Sequence, residues 1–90
     1  MRYIISYDIS DDKRRRRIVK RLEQCAQRVQ YSVFEGEFRS QAVARMWSDL
    51  QDIIVPELDG LMLIPVCRTC SRGRLEAGTT VRYDADDSII

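Results

Sequence analysis

The chain opens with an apolar segment whose polar residues, Arg2, Ser6 and Asp8, all fall at even-numbered positions. Residues 2–8 are rich in aromatic and β-branched side chains, which favour a β-strand. Successive side chains of a strand point to opposite faces of the sheet. One face then carries Tyr3, Ile5 and Tyr7, and the other carries Arg2, Ile4, Ser6 and Asp8. Because both faces include apolar side chains, we predict a strand in the centre of a sheet.

Two later segments have the periodicity of amphipathic helices. The first helix is predicted to begin near Lys13, with Asp11 or Asp12 as its N-cap. Ser40 is the predicted N-cap of the second helix. The apolar stripe of the first helix consists of Ile18, Val19, Leu22, Cys25 and Ala26, and that of the second consists of Val43, Met46, Trp47, Leu50 and Ile54.

The remaining apolar segments predict further strands. Residues 29–38 have strand propensity, and Gly36 within them indicates a bulge, a bend or a close backbone approach. A single kinked strand and a tight hairpin both fit this segment. Residues 61–67 predict another strand, in which Pro65 indicates a sheet edge or a bulge because proline donates no ladder hydrogen bond. Residues 79–83 are compatible with a short last strand.

This order of elements predicts an α+β protein, a ferredoxin-like βαββαβ sandwich with an extra C-terminal strand. We expect one domain over residues 1–83, followed by an acidic C-terminal tail over residues 84–90. Both helices would cover the same face of the sheet. A chain of 90 residues has little material left to cover the other face, so we predict a homodimer.

The charges are distributed unevenly, although the net charge is only +1. Residues 1–39 contain ten Lys and Arg against six Asp and Glu, whereas residues 40–90 contain five against eight. Residues 13–17 place five cations at a helix start, where they oppose the helix dipole, which favours contact with nucleic acid over a purely structural role. The chain contains no His, which excludes His-dependent nucleophilic catalysis and His-ligated zinc.

The three cysteines do not indicate a metal site or a disulfide framework. Cys67 and Cys70 have the spacing of half a zinc site, but a structural zinc needs four ligands and Cys25 is the only other thiol. Residues 1–9 are too short and too polar at Asp8 for a signal peptide, and no segment approaches the roughly 20 apolar residues of a membrane span. We therefore expect a cytoplasmic protein without a membrane partner.

Three segments together resemble the CRISPR-associated protein two family, the smaller half of the spacer-acquisition pair. The first is Tyr7-Asp8-Ile9 with the following aspartates and the arginine-rich helix start. The second is residues 28–36, RVQYSVFEG, and the third is residues 63–70, LIPVCRTC. The resemblance extends over roughly residues 2–83, while the segment after Cys70 matches only loosely.

The resemblance implies a ferredoxin-like homodimer that binds nucleic acid and a divalent metal, Mg²⁺ or Mn²⁺. It implies Asp8 as the catalytic residue and metal ligand. Its nucleic-acid contacts fall on Tyr7, Arg15, Arg17, Arg28 and Phe34. Some members of the family are ascribed metal-dependent cleavage of single-stranded RNA or double-stranded DNA. Others are ascribed a non-catalytic role that bridges two dimers of the CRISPR-associated integrase.

Taken by itself, an aspartate after a strand is more often a turn former or a helix cap than a metal ligand. One carboxylate in each chain cannot hold a two-metal site, but a two-fold interface brings the same residue of both subunits together. Mg²⁺ suits such a site, since it is commonly bound by one or two carboxylates, several waters and a substrate phosphate. With the resemblance added, we interpret Asp8 as a metal ligand.

Three functions remain open on the sequence. The first is a metal-dependent endonuclease that acts on single-stranded RNA or double-stranded DNA as a homodimer. The second is a dimeric adaptor that grips a DNA duplex between integrase dimers, and the third is a toxin-type ribonuclease on the same fold. The basic helix start serves the first two functions equally.

Overall fold

The computed structural model describes residues 1–67 and, beyond them, residues 69, 72, 73, 75 and 77. Within this part the chain forms four strands and two helices in the predicted order. They are β1 (Arg2–Asp8), α1 (Asp12–Glu23), β2 (Gln27–Gln30), β3 (Val33–Glu37), α2 (Ser40–Ile53) and β4 (Gly60–Val66). The predicted strand at 79–83 and the predicted tail at 84–90 lie outside the described residues.

The four described strands form one antiparallel sheet with the order β2-β3-β1-β4. The prediction that residues 2–8 form a central strand is confirmed, since β1 pairs with β3 on one side and with β4 on the other. Among the described strands, β4 pairs only with β1, so Pro65 lies on an edge strand as predicted. The α+β, ferredoxin-like architecture is therefore confirmed.

Both helices pack on one face of this sheet and form the core with it. The apolar stripes of α1 and α2 bury Ile18, Leu22, Met46 and Leu50 completely. These side chains pack against Ile5, Tyr7 and Phe34 from the sheet. Burial of such side chains is worth roughly 1.5–3 kcal/mol each, so this layer provides most of the folding free energy. Trp47 is only partly buried, in contrast to the predicted stripe.

The segment around Gly36 forms a hairpin, which decides between the two alternatives left by the sequence. β2 and β3 are joined by Tyr31 and Ser32, and their register shifts between Arg28 and Gln30. A Cβ atom on Gly36 would lie 3.0 Å from the carbonyl oxygen of Cys25. Gly36 is therefore required by the close backbone approach of the segment that links α1 to β2.

The helix starts differ slightly from the sequence-based prediction. Asp11 is the N-cap of α1, and its carboxylate accepts a hydrogen bond from the backbone N–H of Arg14 at 2.9 Å. Ser40 is the first residue of α2 rather than its cap, so that prediction is wrong by one position. Arg39 is the N-cap and makes no side-chain capping bond. Neither described helix is long and apolar enough to cross a membrane.

The face of the sheet opposite the helices is partly apolar. Ile4 lies opposite Ile64 and Ser6 lies opposite Met62, so these side chains share this outer face. Met62 is 56% exposed and Ile64 is 39% exposed. Asp8 follows the same alternation and lies at the end of the same face, opposite Gly60.

Candidate functional site

An open groove of about 790 Å³ lies between the end of β1, one side of α1 and the β2–β3 turn. Its cationic lining residues are Arg15, Arg16, Lys20 and Arg28, and its acidic ones are Asp8 and Glu23. Tyr7 and Tyr31 also line it. The excess of cations makes the groove a suitable site for a polyanion, because each neutralised phosphate releases counterions.

Asp8 is an exposed residue that lines this groove. No side chain in the described part of the chain donates a hydrogen bond to it or forms an ion pair with it. Its oxygens are the hard ligands that Mg²⁺ and Mn²⁺ bind. The described residues contain no cluster of three or more Cys, Asp or Glu side chains that could hold a metal. Within the described part of the chain, Asp8 therefore offers a divalent metal one carboxylate ligand.

Arg28, Tyr7 and Phe34 form a connected group beside Asp8. The guanidinium carbon of Arg28 lies 5.3 Å from the centroid of the Phe34 ring, within cation–π distance. Arg28 Nη2 donates a long hydrogen bond of 3.5 Å to the Tyr7 hydroxyl. Phe34 is 1% exposed and Tyr7 is 5% exposed. The structure therefore brings these three predicted residues together, with Phe34 as the buried support of Arg28.

Arg15 is fixed at the start of α1 by the loop that follows Asp8. Its Nη1 atom donates hydrogen bonds to the carbonyl oxygens of Ile9 at 3.1 Å and Ser10 at 3.4 Å. Its Nη2 atom pairs with the carboxylate of Asp12. These contacts order the guanidinium next to the groove, although part of its donor capacity is used within the loop.

Arg17 is exposed but does not line the groove, whereas Arg16 and Lys20 do. The resemblance to the family does not indicate these two residues as separate contacts. Their i, i+4 spacing places them on one face of α1 and is the signal that indicates a shared role. Tyr31, which also lines the groove, was named only as part of the strand segment.

An ion pair outside the predicted set connects Arg14, at the start of α1, to Asp59, the residue before β4. The Asp59 carboxylate is fully buried and accepts hydrogen bonds from Arg14 Nε at 2.8 Å and Arg14 Nη2 at 3.1 Å. It also accepts one from the backbone N–H of Val55 at 2.8 Å. The Arg14 hydrogen bond holds the pKa of Asp59 below its usual range and raises the pKa of Arg14. Because Gly60 pairs with Asp8, this contact ties the start of α1 to the strand end beside the carboxylate.

The replacement Asp59→Asn is expected to lower the melting temperature by several degrees at neutral pH. A carboxylate whose pKa is depressed in the folded state stabilises that state above its unfolded pKa of about 4, and this contribution is lost as the pH falls through the folded pKa. The difference between wild type and variant should therefore shrink below about pH 4. Thermal unfolding followed by circular dichroism across this range measures it.

Asp49→Asn is the matched control for this prediction. Asp49 accepts a hydrogen bond from Arg21 Nε at the same distance, 2.8 Å, but its side chain is 45% exposed. Solvent competes for such an exposed pair, so we expect a smaller loss of stability. Equal melting temperatures of wild type and Asp59→Asn at neutral pH would contradict the role assigned to the buried pair.

The fold and groove define this chain as a small α+β sandwich of ferredoxin-like topology with a free carboxylate at the end of its central strand. Residues 1–74 match the family described as CRISPR associated protein Cas2. The chain belongs to this family, as the sequence resemblance predicted.

Individual relatives agree with this assignment. "CRISPR-associated endoribonuclease Cas2 4" of Rhodospirillum rubrum is 41% identical over 80 residues, which are 89% of this chain and 64% of that protein. "CRISPR-associated endoribonuclease Cas2 2" of Synechocystis is 36% identical and is matched over 96% of its length and 98% of this chain. The crystal structure of Cas2 from Streptococcus pyogenes superposes with a TM-score of 0.79 at 25% identity, covering 87% of this chain and 100% of that one.

Proposed function

We propose that this chain is a metal-dependent endonuclease that cleaves single-stranded RNA as a homodimer, with Asp8 of each protomer as a ligand of the metal. The observation that carries the proposal is the position of Asp8. Its exposed carboxylate lines a groove to which the described residues contribute four cationic side chains. The curated relatives described above are named endoribonucleases, which supports RNA as the substrate.

The outer face of the sheet supports the proposed homodimer. Ile4, Met62 and Ile64 form an apolar strip there, and an exposed apolar strip is stabilised when a second copy covers it. Asp8 lies on the same face, at its end. A two-fold axis through this face would bring the two Asp8 side chains toward each other. Two facing carboxylates repel each other unless a cation lies between them. A divalent metal would therefore stabilise this arrangement.

In this proposal, the cationic residues of the groove bind phosphates and Asp8 binds the metal. Arg16, Lys20 and Arg28 would bind the phosphates of the strand and hold a phosphodiester beside Asp8. Asp8 would hold Mg²⁺ or Mn²⁺, which when bound supplies a Lewis acid for the phosphodiester and activates the attacking water. Arg15, ordered by the loop after Asp8, is placed to contact the same phosphate region.

A second function needs only part of this arrangement. A non-catalytic adaptor that grips double-stranded DNA and bridges two CRISPR-associated integrase dimers requires the cationic groove but no metal at Asp8. The groove serves both functions, because phosphate contacts carry no information about the chemistry that follows. Cleavage, not binding, therefore distinguishes the two.

The test measures cleavage and binding in parallel on purified wild-type protein. Labelled single-stranded RNA and duplex DNA are incubated with Mg²⁺, with Mn²⁺ and with EDTA, while fluorescence anisotropy follows binding. We expect RNA cleavage in either metal and none in EDTA. Binding without cleavage in both metals would support the adaptor instead. Cleavage that persists in EDTA would contradict the metal-dependent mechanism.

A further inference from the structure

Tyr31 is an exposed aromatic side chain at the edge of the cationic groove. It exposes 90% of its surface, whereas Tyr7 and Phe34 in the same region are buried. An aromatic ring left in water forgoes the favourable free energy of its burial. A ring in this position beside phosphate-binding cations indicates a contact with something outside the chain.

The turn that carries Tyr31 is hydrogen-bonded to β1, the strand that ends at Asp8. The Tyr7 hydroxyl donates a hydrogen bond of 3.5 Å to the carbonyl oxygen of Tyr31. The backbone N–H of Tyr7 donates one of 3.1 Å to the carbonyl oxygen of Ser32. Both residues of the turn are thus bound to the residue that precedes Asp8. The backbone of Tyr31 is ordered while its ring remains in solvent.

Arg28, which lines the groove, contacts the same Tyr7 side chain. Its guanidinium rests on Phe34 and donates to the same Tyr7 hydroxyl that in turn donates to Tyr31. A phosphate bound at Arg28 would therefore lie close to the Tyr31 turn. In a nucleic-acid strand, each phosphate is joined through one sugar to its base. An aromatic ring next to the bound phosphate can therefore contact that base.

We propose that Tyr31 is a stacking platform for an unpaired nucleobase of the RNA strand bound in the groove. The inference rests on the proposed function and deepens it, because it names an unpaired base as a required part of the substrate. Single-stranded nucleic acid is bound by cations that follow the backbone and by aromatic rings that stack on successive bases. The bases of a duplex are already stacked on each other and offer Tyr31 no free face.

The experiment compares Tyr31→Ala and Tyr31→Phe with Leu58→Ala as the matched control. Leu58 is 69% exposed and does not line the groove, so it tests for a general effect of removing an exposed apolar side chain. Dissociation constants are measured for unstructured single-stranded RNA and for duplex RNA of the same sequence. A fluorescent adenine analogue in the single strand reports stacking through its quenching.

We expect Tyr31→Ala to weaken binding of the single strand by about 5- to 100-fold, to leave duplex binding within about two-fold, and to abolish the quenching. Tyr31→Phe keeps the ring face and should bind as wild type does, as should Leu58→Ala. Unchanged single-strand binding by Tyr31→Ala would overturn the proposal, as would an equal loss on duplex. A shift of Tyr31→Ala from dimer to monomer in light scattering would also overturn it, because Tyr31 would then be an interface residue.

The failure of this inference can be distinguished from the failure of the proposed function. If wild type cleaves RNA and Tyr31→Ala binds and cleaves it equally well, only the stacking role is wrong. If wild type binds duplex DNA and does not bind single-stranded RNA, the nuclease proposal itself is wrong, and the stacking role fails with it.

Discussion

The variant Asp8→Asn is expected to cleave RNA more than about 100-fold more slowly than wild type at saturating Mg²⁺. Loss of a residue that merely orients a metal ligand typically costs 10- to 100-fold, so loss of the ligand's charge should cost more. The replacement is nearly isosteric. Because Asp8 is exposed and has no described partner, the melting temperature should stay close to that of wild type.

RNA binding by Asp8→Asn should not decrease along with its cleavage rate. Among the described residues that line the groove, Asp8 and Glu23 are the acidic ones, so neutralisation of Asp8 removes a repulsion toward phosphate. We expect the affinity of Asp8→Asn for RNA to equal or exceed that of wild type. Single-turnover cleavage and fluorescence anisotropy on the same preparations separate the two quantities.

Asp52→Asn is the control for this variant. Asp52 is also an exposed aspartate, but it lies on α2 and does not line the groove. The control should cleave as wild type does. Full activity of Asp8→Asn would show that the carboxylate is not a metal ligand in cleavage. A parallel loss of binding and cleavage would point to a folding defect and would also count against the assigned role.

The second large effect is expected for stability, in the variant Phe34→Ala. Phe34 is 1% exposed and packs in the core with Ile5 and Tyr7. Truncation of a buried Phe to Ala usually costs about 3–5 kcal/mol through lost burial and the cavity left behind. Small domains have a total stability of only about 5–15 kcal/mol. Urea denaturation should therefore show a much lower midpoint, with part of the protein unfolded at physiological temperature.

Phe34→Leu separates the two roles of this side chain. Leu fills much of the cavity, so this variant should remain folded and lose clearly less stability than Phe34→Ala. It removes the ring on which Arg28 rests, however. We expect RNA binding to weaken by a factor of about two to five, the value of an exposed cation–π contact. An unchanged urea midpoint for Phe34→Ala would contradict the core position of Phe34.

Much of the fold follows from local patterns that a single sequence displays. The period-two alternation of residues 2–8 predicts a central strand, and β1 occupies that place. Of the two predicted N-caps of α1, Asp11 and Asp12, the structure has Asp11, whose short carboxylate accepts a hydrogen bond from a backbone N–H of the first turn. The predicted start of α2 is one residue too late. Ser40 has a better intrinsic capping propensity than Arg39, but in the structure Arg39 is the N-cap and Ser40 is the first helical residue.

The hairpin could not be read from periodicity. Residues 29–38 have uniform strand propensity, and no turn dipeptide such as Asn-Gly marks the position of the reversal. The fold decides it through long-range contacts: β3 pairs with β1 while the segment before β2 packs against Gly36. The choice between a kinked strand and a hairpin depended on neighbours far away in the sequence.

The residues of the candidate site also fall into two groups, those that the sequence predicts and those that only the structure identifies. The resemblance of three segments to a family was enough to name Asp8, Tyr7, Arg15, Arg28 and Phe34, all of which lie in or directly beneath one groove. Arg16 and Lys20 were missed as individual contacts, since a run of five cations does not show which side chains face the groove. Helical geometry makes that choice, because each residue rotates by about 100° from the last.

By itself, then, the amino-acid sequence determined the class of fold, the family, and Asp8 as a candidate metal ligand. Alternation, capping and motif residues are local, and they act over only a few positions. The tertiary structure decided the rest. It paired Arg14 with Asp59 across 45 residues, rested Arg28 on Phe34, and placed Asp8 on the outer face with Met62 and Ile64. These relations depend on strand register and helix rotation, which only the packed sheet and helices establish.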